Sequence, residues 1–389
     1  MSVYLDHNGT TPTRPEVRRL WEEQLDAGLG NPSATHASGR RARAVVDEAR
    51  ERVAAALRVP EEWVLFTSGG TESNNGALHG VLEALGGGLA IGATEHSSVL
   101  ETAAALARGG HRLWTLPVDS EGITELEGIT SAAAEPDCRL LSVMTANNEV
   151  GSLAPMEAIA DRLRALGEGA PVWHTDAVQA LGKVPLELRA WGVDLASLSA
   201  HKVGGPQGVG ILVRRAGVPF APVLHGGGQE HGLRSGTENV AGIAAAALAV
   251  ELAVSEQEGY DRRLRELSTA LWQGLVSHEP DVRLLGPAID APTRLSNTLC
   301  IAVEGVDGRT LLARLDLEGV EASLGSACSS GAIEASHVLL AMGRPEEEAR
   351  AGLRLSLGRT TTTEDIHTAV ETVGTVLREL RARNRAPRP

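Results

Sequence analysis

Residues 38–254 alternate between short apolar runs and amphipathic helical stripes, and this alternation limits the fold more than any other feature of the chain. Residues 38–58 place Ala42, Val45, Val46, Ala49, Val53, Ala56 and Leu57 on one helical face, with Arg, Asp and Glu opposite. Residues 63–67 read as a buried strand, after which Ser68-Gly69-Gly70 turns into a helix expected over 71–85. Further strands are expected at 89–92, 113–116, 140–145, 172–175, 195–199 and 210–214, with helices between the earlier ones. Strands separated by helices pair in parallel, because the crossover returns the chain to the same end of the sheet. The expected architecture is therefore α/β, with a mostly parallel sheet covered by helices on both faces.

An Ala-rich helix is expected over 237–254, and the polar stretch 255–259 reads as a boundary. Beyond it, a helix over 260–275, strands at 298–303 and 353–357, and a closing helix over 364–381 predict a smaller α+β unit. The expected division is a large domain, 15–255, and a small domain built from 1–14 and 256–389. The tail 381–389 is expected to be frayed.

Charge and cysteine content narrow the function. The 389 residues carry 36 basic and 50 acidic side chains, a net charge of −14, which argues against polyanionic partners such as nucleic acid or anionic membrane. The most apolar stretch, 241–253, is too short to span a bilayer. Three cysteines cannot build a disulfide framework, and Tyr4-Leu5-Asp6 reads as folded protein, so a cytoplasmic location is expected. The 12 His and 3 Cys lack structural zinc spacing, so no resident metal is expected. Gly226-Gly227-Gly228 has the wrong spacing for a dinucleotide fingerprint, and no serine-hydrolase elbow occurs.

Only Lys183 and Lys202 among the 36 basic residues are lysine. Arg stays protonated, whereas an amine of lowered pKa can act as a nucleophile or form a Schiff base. Lys202 stands between His201 and a glycine turn just after a strand end, while Lys183, in Leu181-Gly182-Lys183-Val184-Pro185, reads as part of a plain connecting turn. Lys202 is thus the chemical candidate. Gly69-Gly70-Thr71 opens a helix and suits either a phosphate or a simple N-cap. Asp176 ends a strand, where open α/β sheets bind ligands or where it caps the next helix. Cys328 lies among small residues in Gly325-Ser326-Ala327-Cys328-Ser329-Ser330-Gly331, a setting for a reactive thiol. Cys138 and Cys300 adjoin apolar strands and read as inert core thiols.

Taken together, these segments resemble the cysteine desulfurases, pyridoxal-phosphate enzymes of the class V aminotransferase family. The match is to the long-Cys-loop group of the nitrogen-fixation and iron–sulphur-assembly type. The landmarks run nearly end to end: Tyr4-Leu5-Asp6-His7-Asn8, Thr67-Ser68-Gly69-Gly70-Thr71-Glu72, Thr94-Glu95-His96, Ala146-Asn147-Asn148-Glu149, His174-Thr175-Asp176-Ala177-Val178-Gln179, Ser199-Ala200-His201-Lys202, Arg234-Ser235-Gly236-Thr237, Gly325-Ser326-Ala327-Cys328 and Arg354-Leu355-Ser356. The resemblance implies a fold-type-I enzyme in which Lys202 carries pyridoxal 5′-phosphate as a Schiff base. Asp176 would pair with the pyridine nitrogen, Gln179 with the phenolic oxygen, and His96 would stack on the ring and move protons. Gly70, Thr71, Ser199 and His201 would cradle the phosphate, with Thr237 reaching it from the partner of a homodimer. Arg354 would bind the substrate carboxylate, with Asn148 beside substrate and ring. Cys328 would take sulphur from L-cysteine as a persulfide, leaving L-alanine. It would pass that sulphur to an acceptor such as an iron–sulphur scaffold or a thiolation relay, sharing a cluster transiently with the scaffold.

Four departures from the family pattern stand out. Gly9 replaces a usual Ala, Val203-Gly204 replaces an aromatic pair often found after the lysine, Gln207 replaces a common Lys, and the segment 148–176 is longer than usual, around Gly167-Glu168-Gly169-Ala170. The alternatives are a selenocysteine lyase or another pyridoxal-phosphate C–S lyase, a non-catalytic scaffold, and an amino-group transferase. Cys328 discriminates against the first and last, and the intact Lys202, Asp176, His96 and Arg354 against the scaffold.

Overall fold

The computed structural model describes residues 2–303, 305–325 and 335–385. Strand β1 (Val3–Tyr4) begins the chain, and β2 (Val64–Thr67), β3 (Gly88–Gly92), β4 (Leu113–Leu116), β5 (Cys138–Ser142), β6 (Val172–Asp176), β7 (Leu195–Ser199) and β8 (Gly210–Arg214) form one seven-stranded sheet. Its order is β2-β8-β7-β6-β5-β3-β4, parallel throughout except where β8 runs antiparallel to both neighbours. The mostly parallel α/β expectation holds. The strand expected at 140–145 starts at Cys138 and stops at Ser142, because the next residues bend to carry Asn147 and Asn148 across the sheet end.

The second sheet comprises β9 (Val282–Leu285), β10 (Thr298–Val303), β12 (Ser323–Leu324) and β13 (Leu353–Ser356), in the antiparallel order β12-β13-β10-β9. Strand β11 (Val320–Glu321) pairs instead with β1. That pairing brings Val3 and Leu5 into the apolar core of Leu299, Ile301, Leu355 and Leu377, so the first residues fold with the last third of the chain. A separate core of Ala, Val and Leu lies under the large sheet.

The helices around the polar stretch 255–259 run closer together than expected. The Ala-rich helix runs Val240–Ser255 and the next begins at Gln257, at an angle of 68°. Glu and Gln propagate a helix well, so the break is a sharp bend with no intervening loop. No single helix among the described residues is long and apolar enough to cross a membrane. The closing helix spans Thr363–Arg385, extending through half of the expected loose tail. Residues 386–389 lie outside the described residues.

Candidate active site

The carboxyl ends of the large sheet's strands, the loop after β1 and the start of β13 enclose a cavity of about 290 Å³. Each wall follows from a local feature of the sequence. Gly70 opens the helix Gly70–Leu85, and a Cβ there would stand 2.9 Å from Val178 Cγ2, so only a residue without a side chain leaves that end of the cavity open. The free N–H groups of this helix end, with Thr71, Ser199 and His201, make an anion-binding corner. Burial first, and then Lys202, push the His201 ring down to about 4, so it is neutral there.

Lys202 follows β7 in a short 3₁₀ turn closed by Gly204 at φ +84°. Its Nζ donates to the backbone oxygens of Asn8 at 2.5 Å and Gly9 at 2.6 Å. Burial, then the charge of Arg354, lowers its pKa to about 8 against the opposing pull of Asp6 and Asp176. Unprotonated amine is therefore available near neutral pH.

Asp176 ends β6 and is 4% exposed. Its Oδ2 accepts from Asn74 Nδ2 at 2.7 Å and its Oδ1 from the Val178 N–H at 2.9 Å. Asn74 Nδ2 also donates to Ser98 Oγ at 2.8 Å, and Ser98 Oγ lies 2.8 Å from His96 Nδ1. His96 caps the helix Ser97–Arg108, its Nδ1 accepting from the Ser98 N–H, so the ring's proton resides on Nε2. Burial lowers the His96 pKa, partly opposed by Asp176.

Arg354, on β13, reaches the cavity from the second sheet. Nη1 donates to the Asn148 carbonyl at 3.1 Å and Nη2 to Asp6 Oδ1 at 2.7 Å, while Nε is buried without a partner among the described residues. Gln179 and Asn148 line the same space.

All but two of the residues expected at the site thus meet in one cavity. Thr237 is exposed and does not line it. Cys328 lies outside the described residues, although Gly325, three residues before it in the sequence, lines the cavity. Cys138 and Cys300 are buried, and burial raises their thiols to about 11 and about 12, consistent with inert thiols. Among the described residues no group of His, Cys, Asp and Glu is arranged to hold a metal.

The reading of Lys183 needs correction. It lies in a turn, as expected, but the turn is no plain connector: Lys183 is 5% exposed and bonds Gln179 and Asn8 inside the site. Its scarcity as one of two lysines was the signal. Asn8 and Asn74 lie in landmark segments, but their roles come from tertiary contacts: Asn8 with Lys183, Thr298 and Asn148, and Asn74 with Asp176 and Ser98.

The donor set fits pyridoxal 5′-phosphate. It offers an amine for the aldehyde carbon, a carboxylate for the ring nitrogen, and a helix end with hydroxyls for the phosphate.

The aminotransferase class-V family model matches residues 3–368. The chain is 41% identical over 382 residues to the cysteine desulfurase IscS of Dictyoglomus turgidum, covering 97% of this chain and 95% of that one. It is 40% identical over 384 residues to the cysteine desulfurase IscS of Methanosarcina thermophila, covering 98% and 93%. A solved structure of a NifS-like protein superposes with a TM-score of 0.90 at 36% identity, covering 98% of this chain and all of that one, 100%.

Proposed function

The chain belongs to the class-V aminotransferase family, and from that membership and the chemistry of the cavity we infer that it is a pyridoxal-phosphate-dependent cysteine desulfurase. The observation that carries the substrate reading is the convergence of Lys202 and Arg354 on one cavity, an amine beside a guanidinium able to receive an amino-acid carboxylate. Selenocysteine lyase is not favoured, since the relatives at about 40% identity are named cysteine desulfurases.

When bound, pyridoxal phosphate supplies an electron sink that loosens the substrate's C–S bond. The chain's own residues hold and orient. Lys202 Nζ would anchor the cofactor, Asp176 would keep the ring nitrogen protonated, and Gln179 would donate to the phenolic oxygen. Gly70, Thr71, Ser199 and His201 would take the phosphate, with Thr237 contributed by the second copy of a homodimer. Arg354 and Asn148 would fix the substrate. His96, with its proton on Nε2, would stack on the ring and serve as the proton carrier. The Cys328 thiolate would attack the substrate sulphur as the carbon–sulphur bond breaks. L-Cysteine and a thiol thus become L-alanine and a Cys328 persulfide, with no external oxidant required. The reading includes a cytoplasmic setting and an acceptor protein such as an iron–sulphur scaffold or a thiolation relay.

Incubating the purified protein with L-cysteine tests this. Alanine and one added sulphur on the Cys328 peptide are expected, and Cys328→Ser should bind cofactor yet form no persulfide. Alanine without modified Cys328 would point to an eliminating lyase. Neither product, from cofactor-loaded protein, would remove the substrate assignment.

A further inference from the structure

Lys183 is the second of the chain's two lysines, and the reaction as described does not use it. The turn after β6 places it one helical turn beyond Gln179, with its own N–H bonded to Ala180 O at 3.0 Å. The backbone here presses on the helix Val240–Ser255: Gly182 has φ +67°, and a Cβ on it would stand 2.7 Å from Ala253 Cβ. Gln257 Nε2 locks the Lys183 carbonyl at 3.0 Å. The side chain is directed inward, where it is buried at 5% exposure.

Its contacts are unusual for a cation. Lys183 Nζ donates to Gln179 Oε1 at 2.6 Å and to Asn8 Oδ1 at 3.2 Å, and both acceptors are neutral amides. Burial, then Lys202 and Arg354, lowers its pKa to about 7. The other charged groups around the adjoining small cavity are Arg14, Arg359 and Glu256, and Glu256 is already bonded to Arg14 at 2.7 Å. A buried amine held without a carboxylate among the described residues is costly, so an ion-pair role does not account for it.

What the amine accomplishes is to orient two amides. An amide side chain presents an acceptor at one end and donors at the other, and a lysine amine offers hydrogens to be accepted. Facing Lys183, Gln179 must turn Oε1 toward it, which leaves Nε2 to donate to Asn8 O at 3.0 Å. Asn8 is fixed the same way: Oδ1 takes Lys183 and Asn297, and Nδ2 donates to Asn148 O at 3.1 Å and Thr298 Oγ1 at 2.9 Å. Asn8 O is in turn the acceptor of Lys202 Nζ.

We propose that Lys183 is a positioning residue of the active site, holding the Gln179 amide with its N–H end toward the cofactor and fixing Asn8 behind Lys202. This rests on the pyridoxal-phosphate reading above. A lost donor at the cofactor's phenolic oxygen makes that oxygen more basic and strengthens the protonated Lys202–cofactor linkage. The pH midpoint of the linkage's visible absorption should then rise.

The test uses the cofactor-loaded protein, with visible absorption titrated against pH and thermal unfolding followed in parallel. Lys183→Met should retain bound cofactor and raise the midpoint by about one pH unit, the size expected of one lost hydrogen bond. Gln179→Leu should raise it similarly, and the double variant should add little more. Lys183→Gln, which keeps a donor at that end, should give less than half the shift; it also serves if Lys183→Met fails to fold. Unchanged midpoints in the Lys183 variants, with only a lowered melting temperature, would overturn the proposal, as would full additivity in the double variant. Absence of the visible band in unaltered protein would instead remove the cofactor reading, and this proposal with it.

Discussion

Arg354 Nη2 stands 2.7 Å from Asp6 Oδ1, so the guanidinium proposed to receive the substrate carboxylate already holds one from its own chain. Gly9 permits this, because a Cβ at that position would lie 2.4 Å from Asp6 Oδ2. The family's usual Ala at this position would crowd Asp6 away. Asp6 therefore competes for Arg354, and weakening it should favour the substrate. Asp6→Asn and Gly9→Ala are expected to lower KM for L-cysteine a few-fold, whereas Arg354→Lys, which loses the two-donor fork, should raise it about tenfold or more. Steady-state alanine formation checks both directions. A KM raised by Asp6→Asn would mean that the carboxylate orients Arg354 and does not compete for it.

A second expectation concerns the relay from Asp176 through Asn74 and Ser98 to His96, with steps of 2.7, 2.8 and 2.8 Å. Asn74→Ala removes a donor from a buried carboxylate and frees Ser98. Cofactor affinity should fall about tenfold, the worth of one hydrogen bond to a charged group. Titration of cofactor-free protein measures it, and unaltered affinity would show that Val178 N–H alone suffices to hold Asp176.

Much of this was legible in the chain because strand ends and glycine turns leave local traces. Lys202, Asp176 and Thr71 each follow an apolar run, and the sheet supplied their relative placement. Asp6 and Arg354 meet across 348 residues, and Lys183 and Asn8 across 175; such contacts impose no periodicity. The short β11 and β12 were equally invisible, being two-residue strands defined by their partners. Val203, which stands where the family pattern has an aromatic residue, is buried and lines the small cavity behind Lys202.

The scaffold beneath the phosphate corner depends on a buried ion pair. Arg50 Nη2 and Nη1 bond Glu230 Oε1 and Oε2 at 2.8 and 2.9 Å, and Glu230 Oε2 also accepts from Phe66 N at 2.8 Å. Both side chains are buried, 8% and 2% exposed. Arg50→Met strands the carboxylate and should cost about 3–5 kcal/mol. Adding Glu230→Gln should recover part of that loss, as read by thermal unfolding. No recovery would place the cost in lost packing against Phe66, whose ring centre lies 5.0 Å from the guanidinium.

The final expectation is a pH dependence rooted in Glu149, next to Asn148. Glu149 is 3% exposed and accepts from Ser336 Oγ at 2.5 Å; a Cβ on Gly325 would stand 2.4 Å from its Oε2. It thus touches both described ends of the segment that carries Cys328. Burial raises its carboxyl from 4.5 to about 7, against the hydrogen bond from Ser336 and the charge of Arg354. Between those values the unfolded chain has released the proton and the folded chain retains it. Stability from this group is therefore full below 4.5, declines as pH rises, and is lost above about 7. The loss is on the order of 3 kcal/mol. Glu149→Gln cannot ionise, so its stability relative to the unaltered protein should increase by about that amount between acid and mildly alkaline pH. Buried His7, His174 and His201, whose pKa values are lowered, titrate in both proteins and cancel in the difference. Urea unfolding of both proteins at about pH 5 and about pH 8 measures it. A difference independent of pH would mean that Glu149 is ionised throughout, with Ser336 and Arg354 outweighing its burial.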